Sequence, residues 1–380
     1  MTCYHPAKGF IVGFNSSTQK KQIVYCSWSV DHVEVLGTVR KLNESTGELE
    51  RVKQFKRVYE HGQKYPESMV IRNYIELPCG KCIGCRLKYS RDWATRMMCE
   101  LKCTENGKAC FITLTYDDAH VPFSLYKDAD TGDYVESLTL RKRDYQLFMK
   151  RLRKHYQDEL LCDEDGNVVY DEDGKPKKVK IRFYACGEYG SKTFRPHYHA
   201  ILYGVDFSED RYPWSRSKTG FIYYRSPTLE CLWPYGNSLV CDVSYDTCAY
   251  VSRYVTKKLN GKAAEYYEYF NIQPEFSTMS LKPGIGREYY ELHKHDIYEN
   301  DEMFLSDANG GKRVRPPRYY DKLFDVEYPY LSSRIKSAHA KMVDNISSQK
   351  LEKYDGTYLE QLQSTEDVWK SQRFLKRRLE

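Results

Sequence analysis

Pro196-His197-Tyr198-His199-Ala200-Ile201-Leu202 (PHYHAIL, 196–202) sets two histidines one residue apart in an apolar run. A strand is expected over His197–Gly204, after the Pro196 break. In a strand, side chains at i and i+2 share a face, so His197 and His199 can chelate one metal ion while Tyr198 packs into the opposite face. Two ordinary surface or core histidines are the competing reading. Nine residues upstream of His197, Glu188 follows a strand expected over Val179–Cys186, across the Gly190–Pro196 turn. An antiparallel return would bring its carboxylate alongside the imidazoles. Two neutral imidazoles and one carboxylate leave open positions on an octahedral Mg2+ or Mn2+, where a phosphate oxygen can bind. The alternative for Glu188 is a surface charge paired with Lys192 or Arg195.

Downstream, Tyr245–Leu259 reads as a helix, with Asp246 as N-cap and Gly261 as C′ residue. At about 100° per residue from Tyr250, Tyr254 falls near 40°, Lys257 near −20°, Arg253 near −60° and Lys258 near 80°. Cys248, Val251, Val255 and Leu259 cluster on the other side. An ordinary amphipathic helix would bury its aromatics with the valines, whereas here the phenols sit among cations. A phenol beside a metal-bound phosphodiester and a lysine can act as nucleophile on phosphorus. In-line loss of a 3′ oxygen would leave a 5′-phosphotyrosine. That ester keeps the phosphodiester energy, so ends can be rejoined, and a second tyrosine permits a second cleavage while the first ester persists. A third motif, Phe111–Asp118 (FITLTYDD), lies in a strand expected over Ala109–Tyr116 and ends in acids; alone it is a generic core strand.

The 380 residues suit two domains, or one elaborated core with flanking segments. Mean hydropathy is −0.72, with no apolar run long enough to span a bilayer and no secretory leader. Fifteen Phe against 35 Tyr indicates side chains that stack and hydrogen-bond. Net charge is only +6, but it is segregated. Seven of the fourteen residues from Arg141 to Lys154 are basic (Arg141, Lys142, Arg143, Lys150, Arg151, Arg153 and Lys154), and eight acids follow between Asp158 and Asp173. With Arg253 and Lys258, these cations suit a polyanion such as DNA; a solvated basic helix face is the alternative. Tyr145, Phe148, Leu152 and Tyr156 mark the apolar face of that helix. Asp163–Pro176 reads as a hairpin insertion with two Asp-Gly turns.

Thirteen cysteines without a secretory leader suggest reduced thiols in a cytoplasm. Cys79, Cys82 and Cys85 have C-x2-C-x2-C spacing. That suits a structural Zn2+ if a fourth thiolate comes from Cys99, Cys103 or Cys110; packed reduced thiols are the other reading.

Together these motifs resemble the HUH endonuclease superfamily, and most closely the replication initiators of microvirus single-stranded DNA bacteriophages of the gokushovirus-like branch. The resemblance rests on FITLTYDD at 111–118, PHYHAIL at 196–202, and the Tyr250–Tyr254 pair followed by Lys257. Pro78–Arg86 (PCGKCIGCR) and Lys282–Arg287 (KPGIGR) also look like stretches of that branch. One departure is Arg253, where related sequences often carry Lys. The resemblance implies an α+β fold with a central antiparallel sheet of about five strands and flanking helices. It implies a nicking domain over 78–265, an N-terminal extension of small β elements over 1–77, and a Tyr-rich, irregular then helical and exposed region over 266–380. The implied activity is metal-dependent origin nicking in rolling-circle replication. His197, His199 and Glu188 would hold Mg2+ or Mn2+, with Tyr250, Tyr254 and Lys257 catalytic. The implied partners are the viral DNA origin and a host helicase and polymerase, with no membrane, in the cytoplasm of a bacterial host. A relaxase or transposase of the same superfamily, or a zinc-bearing nucleic-acid-binding regulator, are the alternatives.

Overall fold

The computed structural model describes residues 3–14, 21–42, 49–58, 70–163, 165–190, 193–217, 220–254, 258–259, 261–307, 310–351 and 356–379. Two compact units emerge, one formed by Met1–Lys88 with Met342–Glu380 and the other by Tyr89–Lys341.

The first unit carries the small β elements expected of the N-terminal region. These are β1 (Ala7–Phe14), β2 (Lys21–Cys26), β3 (His32–Leu42), β4 (Leu49–Val58), β5 (Val70–Ile71) and β6 (Tyr74–Leu77). They form two three-stranded sheets, ordered β2-β1-β6 and β4-β3-β5. Their buried apolar centre is small, comprising Phe10, Cys26, Val30 and Val33.

The second unit starts within α1 (Ile83–Lys102) and continues through β7 (Ala109–Tyr116), β8 (Phe123–Lys127), β9 (Tyr134–Leu138) and α2 (Lys142–His155). Then come β10 (Arg182–Tyr189), β11 (Pro196–Tyr203), β12 (Tyr212–Arg216), β13 (Ile222–Arg225), α3 (Pro227–Leu232), β14 (Gly236–Asp242) and α4 (Tyr245–Tyr254). It closes with α5 (Glu265–Tyr269), β15 (Phe276–Met279), α6 (Arg287–Asn300), β16 (Met303–Asp307), β17 (Gly310–Val314), α7 (Arg318–Glu327) and most of α8 (Pro329–Leu351). A last helix, α9 (Tyr358–Leu379), belongs to the first unit. It is not wholly exposed as expected, for Leu362 and Glu366 are buried and Glu366 Oε2 bonds His5 Nε2 at 2.8 Å.

The main sheet is α+β and antiparallel, as expected, but has seven strands rather than about five, in the order β12-β13-β14-β7-β11-β10-β15. The hairpin β12–β13 extends one edge. Strand β15 forms the other edge by pairing with β10, so the unit runs on past 265. The expected irregular region is also ordered core. Tyr289, Tyr290, Tyr298 and Tyr320 are buried with Tyr184 and Tyr203 in one cluster. Hydroxyls there find partners, Tyr203 donating to Met97 O at 3.0 Å and Tyr320 to Gly286 O at 2.6 Å. Much of the tyrosine excess is therefore interior, where a phenol combines apolar area with a hydrogen bond.

Both sheet faces are covered. Phe111, Tyr184, Cys186, Ile201 and Tyr203 face α1, α4, α6 and α7, while Ile112, Leu114, Phe183, Ala185, Tyr198, Ala200 and Leu202 face α2 and α3. This explains two departures at β10. It starts at Arg182 rather than Val179, and it is buried on both sides rather than half-buried. The 163–176 insertion makes two tight turns, with Gly166 and Gly174 at φ 84° and 75°, a region open to glycine.

Candidate active site

The candidate residues sit on the three adjoining strands β7, β11 and β10. Register places Glu188 opposite His197, Cys186 opposite His199, and Thr113 and Thr115 opposite His199 and His197 on the other side. All six share the face that α4 covers, while Tyr198 points the other way. Glu188 and His199 are 4% and 5% exposed. His199 Nε2 lies 2.9 Å from Glu188 Oε1. Two ligands at about 2.1 Å from one ion and at a right angle stand about 3.0 Å apart, so this pair already has the spacing of neighbouring octahedral positions. The Nδ1 atoms are engaged elsewhere: His199 Nδ1 meets Thr113 Oγ1 at 3.0 Å and His197 Nδ1 meets Thr115 Oγ1 at 2.9 Å. Both rings therefore turn Nε2 away from the threonines. A hydroxyl suits this position because it can accept from Nδ1–H when Nε2 is a ligand, or donate when it is not.

His197 is less enclosed. A Cβ on Gly190 would lie 3.0 Å from its Nε2, so glycine keeps that edge clear. Among the described residues, the only group of three or more potential ligand atoms within 4.8 Å of one another is a set of cysteines. The histidine–carboxylate trio is thus on one face but not drawn together around a point. Arg195, the alternative partner for Glu188, is engaged elsewhere: it bonds Tyr116 O at 2.9 Å and pairs with Asp118. Lys192 lies outside the described residues. Asp117 pairs with His120 at 2.7 Å, which holds its carboxyl below the usual range.

Helix α4 brings Tyr250 over the histidines. The Tyr250 and His199 ring centroids are 5.4 Å apart and nearly perpendicular at 81°, and Phe111 stacks on His199 at 5.8 Å. Tyr250 is 41% exposed, whereas Cys248 and Val251 are fully buried against the sheet. The helix docks further through Ser252, whose Oγ lies 2.9 Å from Ser90 Oγ of α1. Its start differs from expectation. Ser244, not Asp246, caps it, with Thr247 N donating to Ser244 Oγ at 3.1 Å and Ser244 N donating to Thr247 Oγ1 at 2.8 Å. Its end differs too: Tyr254 is the last helical residue, and Gly261 opens a separate short 3-10 turn. Of the other expected site residues, the Tyr254 side chain and all of Lys257 lie outside the described residues. Arg253 and Lys258 are exposed.

Tyr198 and Tyr116 serve differently. Their hydroxyls bond each other at 2.9 Å, Tyr198 donates to Arg141 O and Tyr116 to Asp144 Oδ2, both at 2.8 Å. Burial pushes both phenols well above the ordinary range, so these are structural donors.

The basic run is not beside this site. It lies on α2, on the opposite face of the sheet from His197 and His199. Arg141, Lys142, Arg143, Lys150, Arg153 and Lys154 are exposed. Arg151 is not: its Nε donates to Leu232 O at 2.8 Å and its guanidinium lies 5.4 Å from the Tyr235 ring, which ties α2 to the α3 region. KPGIGR likewise reads as a structural clasp. Arg96 Nε donates to Ile285 O at 3.0 Å and Gly286 N to Glu100 Oε2 at 2.6 Å.

Sequence reasoning missed Thr113 and Thr115 as partners of the histidines. Their i, i+2 spacing, with apolar Ile112 and Leu114 alternating on the other face, was the available signal.

Comparison with known proteins agrees with the reading of the motifs. The family model for the replication-associated protein ORF2 matches residues 109–259, which run from β7 past α4. The replication-associated protein ORF2 of Spiroplasma virus 4 is 30% identical over 261 residues, covering 68% of this chain and 71% of that protein. The replication-associated protein VP4 of Bdellovibrio phage phiMH2K is 28% identical, covering 66% of this chain and 68% of its own length. The replication-associated protein ORF4 of Chlamydia phage 1 is 29% identical, over 66% and 57% respectively. No solved structure matches. With β7, β11 and α4 all inside the matched span, the chain belongs to the family of replication-associated proteins of microvirus-like bacteriophages.

Proposed function

We propose that the chain initiates rolling-circle replication as a metal-dependent, single-strand DNA nickase and strand-joining enzyme. The observation that carries this reading is the buried His199–Glu188 pair lying beneath the half-exposed Tyr250 ring. His199, Glu188 and His197 would hold Mg2+ or Mn2+, since imidazole nitrogen and carboxylate oxygen suit either ion in an open octahedral site. Bound there, the ion would polarise a nonbridging phosphate oxygen and offset charge growing in the transition state. Thr113 and Thr115 fix the imidazole rings. The Tyr250 phenolic oxygen attacks phosphorus; the bond to the 3′ oxygen breaks as the new ester forms, and the phenolic proton ends on the released 3′ hydroxyl. Lys257 would steady the phenolate, and Tyr254 would make the second cleavage that releases a finished circle. Arg253 and Lys258 would contact DNA near the site, and the exposed cations of α2 a more distant stretch. A host helicase and polymerase would extend the freed 3′ end in the cytoplasm of the bacterial host. A relaxase or transposase role is less well supported, because each relative above is named for replication.

The test is covalent trapping. Full chain with labelled single-stranded origin DNA and Mn2+ is expected to give label that migrates with protein in a denaturing gel. EDTA and His199→Ala should each remove that band. DNA binding without any covalent species would leave a regulator and overturn the enzymatic reading.

A further inference from the structure

Cys79, Cys82 and Cys85 meet a fourth cysteine that their spacing does not disclose. It is Cys3, from the N-terminal end of the same unit, rather than the expected Cys99, Cys103 or Cys110. All four sulfur atoms lie within 4.8 Å of one another, and Cys3 Sγ and Cys82 Sγ are 3.8 Å apart. Four thiolates at about 2.3 Å from one tetrahedral zinc ion stand about 3.8 Å apart along each edge, so the group has the size of a single-ion site. An iron–sulfur cluster would hold its thiolates further apart, because the inorganic core stands between them. None of the four is in a disulfide.

We infer that Cys3, Cys79, Cys82 and Cys85 form a structural zinc site that fastens the N-terminus to the turn before α1. Three further observations support it. Backbone N–H groups converge on the sulfurs: Cys79 N on Cys3 Sγ at 3.2 Å, Lys81 N and Cys82 N on Cys79 Sγ at 3.4 and 3.3 Å, and Tyr4 N on Cys82 Sγ at 3.4 Å. Such donors favour thiolate over thiol. Gly80, at φ +73°, makes the tight turn that lets two of those amides point back at Cys79. The apolar centre of this unit is only Phe10, Cys26, Val30 and Val33, a core of the size that a metal commonly supplements. Because the ligands come from both ends of a long chain segment, the metal ties residues 3 and 79–85 together in the folded state alone. The site is distinct from the proposed nicking chemistry and does not rest on it.

Elemental analysis of the purified full chain tests the site directly. One zinc per chain is expected, surviving dialysis against EDTA at a concentration that strips Mg2+. Cobalt added to chain stripped of metal under reducing conditions should give the spectrum of a tetrahedral tetrathiolate, bleached by zinc. Cys3→Ser should weaken zinc binding by at least about 100-fold, as loss of a direct ligand exceeds the loss from outer-sphere changes. Cys26→Ser, in the core but outside the group, should retain zinc. If Cys3→Ser does not fold, the wild-type cobalt spectrum still decides. A wild-type chain without zinc and without the tetrathiolate cobalt spectrum would overturn the inference. So would iron with acid-labile sulfide, or disulfides among these four cysteines in reduced cytosolic protein.

Discussion

Replacing Thr113 with valine keeps the volume of the side chain and removes one hydroxyl, the partner of His199 Nδ1 at 3.0 Å. The ring of His199 is otherwise fixed by Glu188 at 2.9 Å and by stacking on Phe111. A net hydrogen bond contributes about 0.5–1.5 kcal/mol, and leaving Nδ1 buried without a partner costs about 1–3 kcal/mol. That cost falls mostly on the metal-bound form, in which Nδ1 must carry the proton and needs an acceptor. Loss of such an outer partner weakens metal affinity about 10–100-fold. Thr113→Val should therefore raise the Mn2+ concentration for half-maximal DNA cleavage by about that factor, while melting falls by only about 2–6 °C for a unit of this size. Thr113→Ser should restore most of the affinity. The assay is Mn2+ titration of cleavage beside a thermal melt of the same preparation. Unchanged Mn2+ dependence in the valine variant, with the fold intact, would refute the role given to the threonine.

Tyr198→Phe removes a buried hydroxyl that joins Tyr116 and Arg141 on the face away from the histidines. It should cost about 1–3 kcal/mol of stability in denaturant unfolding while the Mn2+ requirement stays put. Arg151→Ala should behave as a stability variant, since its guanidinium is committed to Leu232 O and the Tyr235 ring. Replacing Lys150, Arg153 and Lys154 with alanine should instead leave melting nearly unchanged. If these exposed residues touch single-stranded DNA, the log–log salt slope of binding should flatten by about 0.7 for each phosphate no longer neutralised. An unaltered slope would make α2 a solvated face.

Local periodicity was enough to place β7, α2 and most of β11, because each carries a run of the right spacing with a clear break at one or both ends. It was enough to put His197 and His199 on one face, since a strand allows no other arrangement of i and i+2. It failed where tertiary packing decides. Strand β15 is four residues long and owes its existence to the free edge of β10. The phenols after residue 265 looked like surface because Tyr has a polar tip, yet the Tyr290 and Tyr320 rings lie 5.4 Å apart in the core. Ser244 competed with Asp246 for the cap of α4, and the reciprocal bond with Thr247 favours the serine. Cys3 could not be found from spacing at all, because chain folding alone brings it to Cys79.

The central claim is a covalent bond between DNA and α4, and locating that bond tests it most directly. Wild-type chain would be trapped on a single-stranded origin substrate in Mn2+, digested with protease and nuclease, and read by tandem mass spectrometry. The expected result is a 5′-linked nucleotide on Tyr250 or Tyr254, confined to the surviving tyrosine in Tyr250→Phe and Tyr254→Phe, and absent from the double variant. A nucleotide on any tyrosine outside this pair, or persistent cleavage by the double variant, would contradict it.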